Sequence, residues 1–409
     1  MRSTRRTARR AIAELLISAV LLLGLTLSAA ADTAIQVMSN EHEAQFADHL
    51  TFRIVVESDA PIVETTLRYR RESSVLTTKV EVPITAGKHV EAEYVRSLER
   101  GEIPPGTTLT YSWAIADESG KEYSTEPITF VYEDDRFDWQ ILSADGITLY
   151  WYEDESNART LLTAGTEAQH RLQDEVGITL EKSIKIFAYQ TSSDMQPAVA
   201  ARSEGYDARV VTLGMVISDD TMLLLGSHRD AELTIAHELS HLVVGLATKN
   251  PYADLPRWLD EGLAMYAEGE LPAGNQSALE RAIREDRLIS VRSLSGYTGD
   301  PELVDLYYGE VYSLADYLID TYGKEKMTGL LALFREGTRP EDALRQIYGF
   351  GLDELDSHWR ASLGLGPRGE PHPTPNLSAS PEPSPTSCCL VPLLSMLAIM
   401  GVFHVSRQL

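Results

Sequence analysis

His237-Glu238-Leu239-Ser240-His241, followed a short way downstream by Trp258-Leu259-Asp260-Glu261-Gly262-Leu263-Ala264, decides how this chain is read. On a helix, residues four apart stand one turn apart on the same face, so His237 and His241 can address one metal ion. Glu238 is rotated about 100° from His237, which sets its carboxylate beside the ion, where it can hold a water without being a ligand. Catalytic zinc takes three protein ligands and keeps a fourth position open. Glu261 is the best candidate for the third. The alternative is a pair of solvated histidines on a surface helix, and it fits poorly. Leu233, Ile235, Ala236, Leu239, Leu242, Val243 and Val244 crowd the motif. A histidine and a glutamate among such neighbours are costly to bury unless charge compensates them. The stretch therefore predicts one Zn2+ held by His237, His241 and Glu261.

From about Gly146 to Leu363 the sequence resembles the gluzincin metallopeptidases, and more narrowly the peptidase-MA-like domains related to aminopeptidase N and thermolysin. Members of that group carry Trp-Leu-x-Glu-Gly-x-Ala on a second helix, matched here by Trp258 to Ala264. The resemblance implies zinc ligation by His237, His241 and Glu261, with Glu238 as general base. Tyr308-Gly309-Glu310-Val311-Tyr312 is similar to the aminopeptidase stretch that opens with an oxyanion-stabilising tyrosine. It carries that role to Tyr308, with Tyr307 and Tyr312 as close neighbours. One departure matters. Those aminopeptidases bind the substrate's amino terminus through Gly-x-Met-Glu-Asn, whereas Leu213-Gly214-Met215-Val216-Ile217 lacks the glutamate. An endopeptidase is expected over an aminopeptidase. The orienting partners of the two histidines are expected among Asp260, Glu268 and Glu310, unranked.

Around this core, 409 residues allow two ordinary domains with appendages. Residues 1–31 read as a signal peptide: Arg2, Arg5, Arg6, Arg9 and Arg10 precede an apolar run and Ser28-Ala29-Ala30-Ala31. The whole chain carries −25, and the leader a net +4 from five arginines against Glu14, so the remainder stands at −29. That acidity argues against nucleic acid and anionic membrane surfaces as partners.

Residues 32–135 read as an all-β immunoglobulin- or fibronectin-like sandwich. Alternating runs such as Leu50 to Val56, Val63 to Tyr69 and Leu109 to Ile115 alternate with turn signals at Asp59-Ala60-Pro61, Ala86-Gly87-Lys88, Pro104-Pro105-Gly106 and Glu118 to Lys121. Its scattered His42, His49 and His89 suggest no chemistry, only a spacer or binding module. Residues 140–365 read as an α+β zincin-type metallopeptidase domain with a helical C-terminal subdomain. Within it, Asp230 is expected to cap the His237 helix, and Asp254 with Pro256 just inside to open the Glu261 helix. A strand within Val210 to Leu225 is expected to be a sheet edge that pairs with an extended peptide.

Residues 366–387 form a Pro/Ser-rich linker, and 388–409 a C-terminal transmembrane or sorting segment ending at Arg407. Both cysteines, Cys388 and Cys389, lie in that tail, so no disulfide braces the body. The sum is an exported, membrane-tethered zinc peptidase in the cell envelope with its body outside, acting on a peptide or protein. A non-catalytic surface binding protein or adhesin on the same scaffold, or a zinc hydrolase of a non-peptide bond, are the alternatives.

Overall fold

The computed structural model describes residues 35–180, 182–200, 213–250, 254–296 and 300–368. The segments expected as signal peptide (1–31) and as terminal segment (388–409) lie outside these residues, as do positions 210–212 and all but the first few residues of the linker. No helix among the described residues is long and apolar enough to cross a membrane. A mostly β amino-terminal region is followed by a helical carboxy-terminal one, and contacts divide the chain into two compact units.

The first unit takes residues up to Ala44, Leu50–Arg96 and Thr108–Phe130. Its seven strands are β1 (Gln36–Gln45), β2 (His49–Arg71), β3 (Thr78–Glu81), β4 (Gly87–Ser97), β5 (Thr107–Asp117), β6 (Glu122–Ser124) and β7 (Ile128–Tyr132). They join in one sheet of order β1-β2-β5-β6, with β3 and β4 also on β2 and β7 on β5. In β5 the residues Leu109, Tyr111, Trp113 and Ile115 are buried and those between are not, a period of two that puts one face on the core. The turn expected at Asp59-Ala60-Pro61 does not form. β2 runs on through it as one strand of 23 residues. A register shift between Ile62 and Glu64 lies just beyond. Apart from Thr51, buried positions are even before it (Leu50, Phe52, Ile54, Val56, Ile62) and odd after it (Thr65, Leu67, Tyr69). A bulge inserts one residue and swaps the faces, and the missing N–H of Pro61 is tolerated beside it.

The second unit takes Gln45–His49, Ser97–Thr107 and the chain from Val131 on. Three stretches of the expected 32–135 domain therefore pack here. Tyr132 accepts the N–H of Ala47 at 2.7 Å and Lys185 donates to the carbonyl of Gly106 at 2.8 Å. A five-stranded sheet has the order β11-β12-β10-β9-β8. Its strands are β8 (Gln140–Ala144), β9 (Ile147–Trp151), β10 (Ile184–Tyr189), β11 (Gly214–Ser218) and β12 (Thr221–Leu225). β9, β10 and β12 are parallel, while β8 and β11 run antiparallel at the edges. Ile184, Ile186 and Ala188 of β10 share the helical core with Ile147, Leu149, Met222 and Leu224. On the other face Phe187 stacks on Tyr150 at 4.4 Å, and Trp139 meets Tyr189 edge-on at 5.2 Å.

The helices are α1 (Glu155–Arg171), α2 (Ser192–Met195), α3 (Ala231–Ala247), α4 (Arg257–Glu268), α5 (Ala273–Glu285), α6 (Val304–Tyr322), α7 (Lys324–Arg335), α8 (Pro340–Tyr348) and α9 (Leu352–Ser362). α1 and α3 pack together beneath the sheet, α4 against α3, and α6 against α4. The unit does not stop at 365. Arg368 donates to Asp356 at 2.8 and 2.9 Å and to the carbonyls of Leu288 and Ile289 at 2.6 and 2.8 Å.

Candidate metal centre

α3 is apolar enough to be buried on most sides, and His237 and Glu238 are buried with it at 1 % and 4 % exposure. The helix begins one residue after Asp230, as expected, but that side chain makes no capping bond and pairs with Arg229. α4 begins at Arg257 with Pro256 just outside it, and the carbonyl of Pro256 accepts from Leu259 and Asp260 at 2.9 and 3.1 Å. Two glycines let the supporting elements close in. A Cβ on Gly262 would lie 2.6 Å from the carbonyl oxygen of Val311, so only glycine lets α4 and α6 approach this closely. A Cβ on Gly214 would lie 2.8 Å from Cγ of Glu238, so the edge strand β11 starts directly on that side chain.

The two helices then bring three donors to one point. Glu261 Oε2 lies 3.6 Å from His237 Nε2 and 3.9 Å from His241 Nε2, and one ligand atom from each residue falls within 4.8 Å of the others. Tetrahedral zinc with bonds of about 2.1 Å holds its ligand atoms about 3.4 Å apart, close to these spacings. His237 Nε2 and Glu261 Oε2 are both buried and make no hydrogen bond within the protein. Buried polar atoms are normally paired. A cation between the three donors would satisfy both, so the residues fit a zinc ion.

Behind the imidazoles stand two carboxylates, both from α4. Glu268 Oε1 lies 2.7 Å from His237 Nδ1, and Asp260 Oδ1 lies 3.2 Å from His241 Nδ1. Each occupies Nδ1 and leaves Nε2 facing the centre, the arrangement by which carboxylates orient metal-binding histidines. Glu310, the third expected orienting acid, is not there. It is fully buried and accepts the N–H of Ile289 at 3.0 and 3.1 Å. It belongs to the same α6 stretch as Tyr308 but reaches away from the centre. Arg171 donates to the carbonyl of Ala267 and so clamps the end of α4 that carries Glu268, a support the sequence gave no sign of.

The electrostatics follow from burial and these pairs. Burial opposes charge on His237, but Glu261 and Glu268 outweigh it and hold the imidazole well above its usual range. His241 is likewise raised, burial being overcome by Asp260, while Asp260 itself is pushed down by His241 against its own burial. Burial pushes the carboxyl of Glu238 up, with the two histidines opposing. Tyr308 is the tyrosine of the Tyr307, Tyr308 and Tyr312 group that faces the centre, its ring 6.4 Å from that of His237. Tyr307 is buried against the carbonyl of Leu294, and Tyr312 stacks on Tyr266. β11 is one edge of the sheet among the described residues.

Residues 164–364 match the Peptidase MA superfamily in a comparison with protein families. No curated protein matches the chain. Among solved structures, the M1 zinc metallopeptidase from Deinococcus radiodurans aligns over 84% of this chain and 96% of that one, at 12% identity and a TM-score of 0.35. BhCBM56 aligns over 22% of this chain and 88% of its own, at 15% identity and 0.17. Catalytically inactive OgpA from Akkermansia muciniphila, in complex with an O-glycopeptide substrate, aligns over 26% and 32%, at 9% identity and 0.19. At such TM-scores these likenesses carry no argument about this chain.

Proposed function

We propose that residues 164–364, which match the Peptidase MA superfamily, form a gluzincin peptidase-MA-like domain and that the protein is a zinc peptidase cleaving peptide bonds internally, with His237, His241 and Glu261 as ligands. The convergence of three donors, two of them buried and without a hydrogen-bond partner in the protein, carries this reading. Zinc, when bound, supplies a Lewis acid that polarises the scissile carbonyl and makes water acidic near neutrality. The protein does the rest. Glu238, raised by burial, is poised to take a proton from water at its carboxylate and return it to the leaving amine. Tyr308 is suited to donate its hydroxyl hydrogen to the oxygen on which charge develops. β11, at the sheet edge and resting on Glu238, offers unpaired backbone groups to an extended substrate. The lack of a carboxylate in Gly214–Ser218 supports internal cleavage over trimming from the amino terminus.

We also propose that the protein is exported and held outside the membrane by residues 388–409, with the β unit as a spacer of sandwich type. The test of function is a pair of assays on the purified protein. Glu238→Gln is expected to keep its zinc and lose peptide cleavage by about 10²–10⁴-fold; a loss under about threefold rejects Glu238 as the base. Amino-acetylated and free forms of one peptide are expected to be cut at comparable rates. Release of single residues from the free form alone would make the enzyme an aminopeptidase.

A further inference from the structure

We infer that Arg257 holds Glu261 to a single-oxygen contact with the metal and so keeps one coordination position free. This rests on the ligand assignment proposed above and adds a positioning residue to it. Arg257 opens α4, and Glu261 follows one turn later, so the two side chains share a face. Arg257 Nη1 lies 3.4 Å from Glu261 Oε1. The other oxygen, Oε2, makes no hydrogen bond in the protein and is the one 3.6 Å from His237 Nε2 and 3.9 Å from His241 Nε2. The two oxygens of one buried carboxylate are thus told apart by the protein: one faces a guanidinium, the other the centre.

The distinction matters because a carboxylate can bind a metal through one oxygen or both. Two histidines and a carboxylate bound through both oxygens fill four positions. Two histidines and a carboxylate bound through one leave the fourth open, as hydrolytic zinc requires. Arg257 engages Oε1 through one nitrogen of its planar, permanently charged fork. Among the described residues the ion pairs of Glu261 run from Oε2 to His237 and His241 and from Oε1 to Arg257, so the selection of the free oxygen falls to Arg257.

The experiment replaces zinc with cobalt(II) in the full-length protein and compares wild type, Arg257→Met and Arg257→Lys. Four-coordinate cobalt(II) absorbs several times more strongly in the visible than five- or six-coordinate cobalt(II). Wild type is expected to show the intense spectrum. Arg257→Met is expected to bind one cobalt with a spectrum several-fold weaker, and Arg257→Lys, which keeps the charge but not the fork, to fall between them. Identical spectra in all three overturn the inference, as does an Arg257→Lys spectrum matching wild type if the methionine variant fails to fold. If wild type binds no cobalt, the ligand assignment fails first and the inference with it. If cobalt binds and the spectra do not change, only the role of Arg257 is lost.

Discussion

Glu268 and Asp260 do the same task for two histidines, yet the structure makes them unequal, and their substitution by the matching amides exposes the difference. Glu268 sits 2.7 Å from His237 Nδ1 with both side chains nearly buried, at 5 % and 1 % exposure. Asp260 sits 3.2 Å from His241 with its side chain 36 % exposed. Glu268→Gln keeps an oxygen that can accept the hydrogen bond and removes the charge. Loss of such an orienting carboxylate costs about 10–100-fold in metal affinity, or about 1.4–2.7 kcal/mol. The buried Glu268 pair belongs at the upper end, since little water is present to screen it. The longer, wetter Asp260 pair belongs at the lower end, and Asp260→Asn is expected to cost about tenfold or less. Competition for zinc against a chromophoric chelator at fixed pH measures both. Equal losses, or a larger loss in Asp260→Asn, would refute the argument that burial sets the strength of these supports.

Two further predictions concern stability. Burial pushes the carboxyl of Glu310 up to about 8 from 4.5, so the folded protein keeps its proton where the unfolded chain has lost it. Its contribution is fully present below about pH 4.5 and is lost as pH rises through about 8, by up to about 5 kcal/mol. Urea unfolding is expected to show a smaller fall in stability between pH 5 and 8.5 in Glu310→Gln than in wild type, and equal falls reject the assignment. Truncation after Arg368 is expected to release a soluble, active body, whereas truncation after Leu365 removes the cation from buried Asp356 and costs about 1–3 kcal/mol. Equal stability of the two truncated forms would place the end of the folded unit at 365. A body truncated after Arg368 that stays on membranes would show that the amino-terminal apolar run is the anchor.

His237 and His241 were legible because a spacing of four on a helix is local geometry, and Glu261 because Trp258 to Ala264 resembles a motif of a known family. What lay beyond the sequence depends on how helices cross. Asp260, Glu268 and Glu310 are all acids near the motif, and only the meeting of α3 with α4 separates the two that reach an imidazole from the one that reaches Ile289. Arg171, 97 residues before Glu268, supports it without any local pattern. In the β unit, Asp59-Ala60-Pro61 carries ordinary turn chemistry, yet β2 continues through it, with a register shift just beyond. Gly214 and Gly262 lie within recognisable motifs, yet the reason glycine is needed there is a neighbouring backbone or side chain that the sequence does not show.

Zinc content is the most direct test of the central claim that His237, His241 and Glu261 together hold one ion. Elemental analysis of the purified wild-type protein is expected to give close to one equivalent of zinc, and of the variant with all three residues replaced by alanine close to none. Equal zinc in the two proteins would contradict the account.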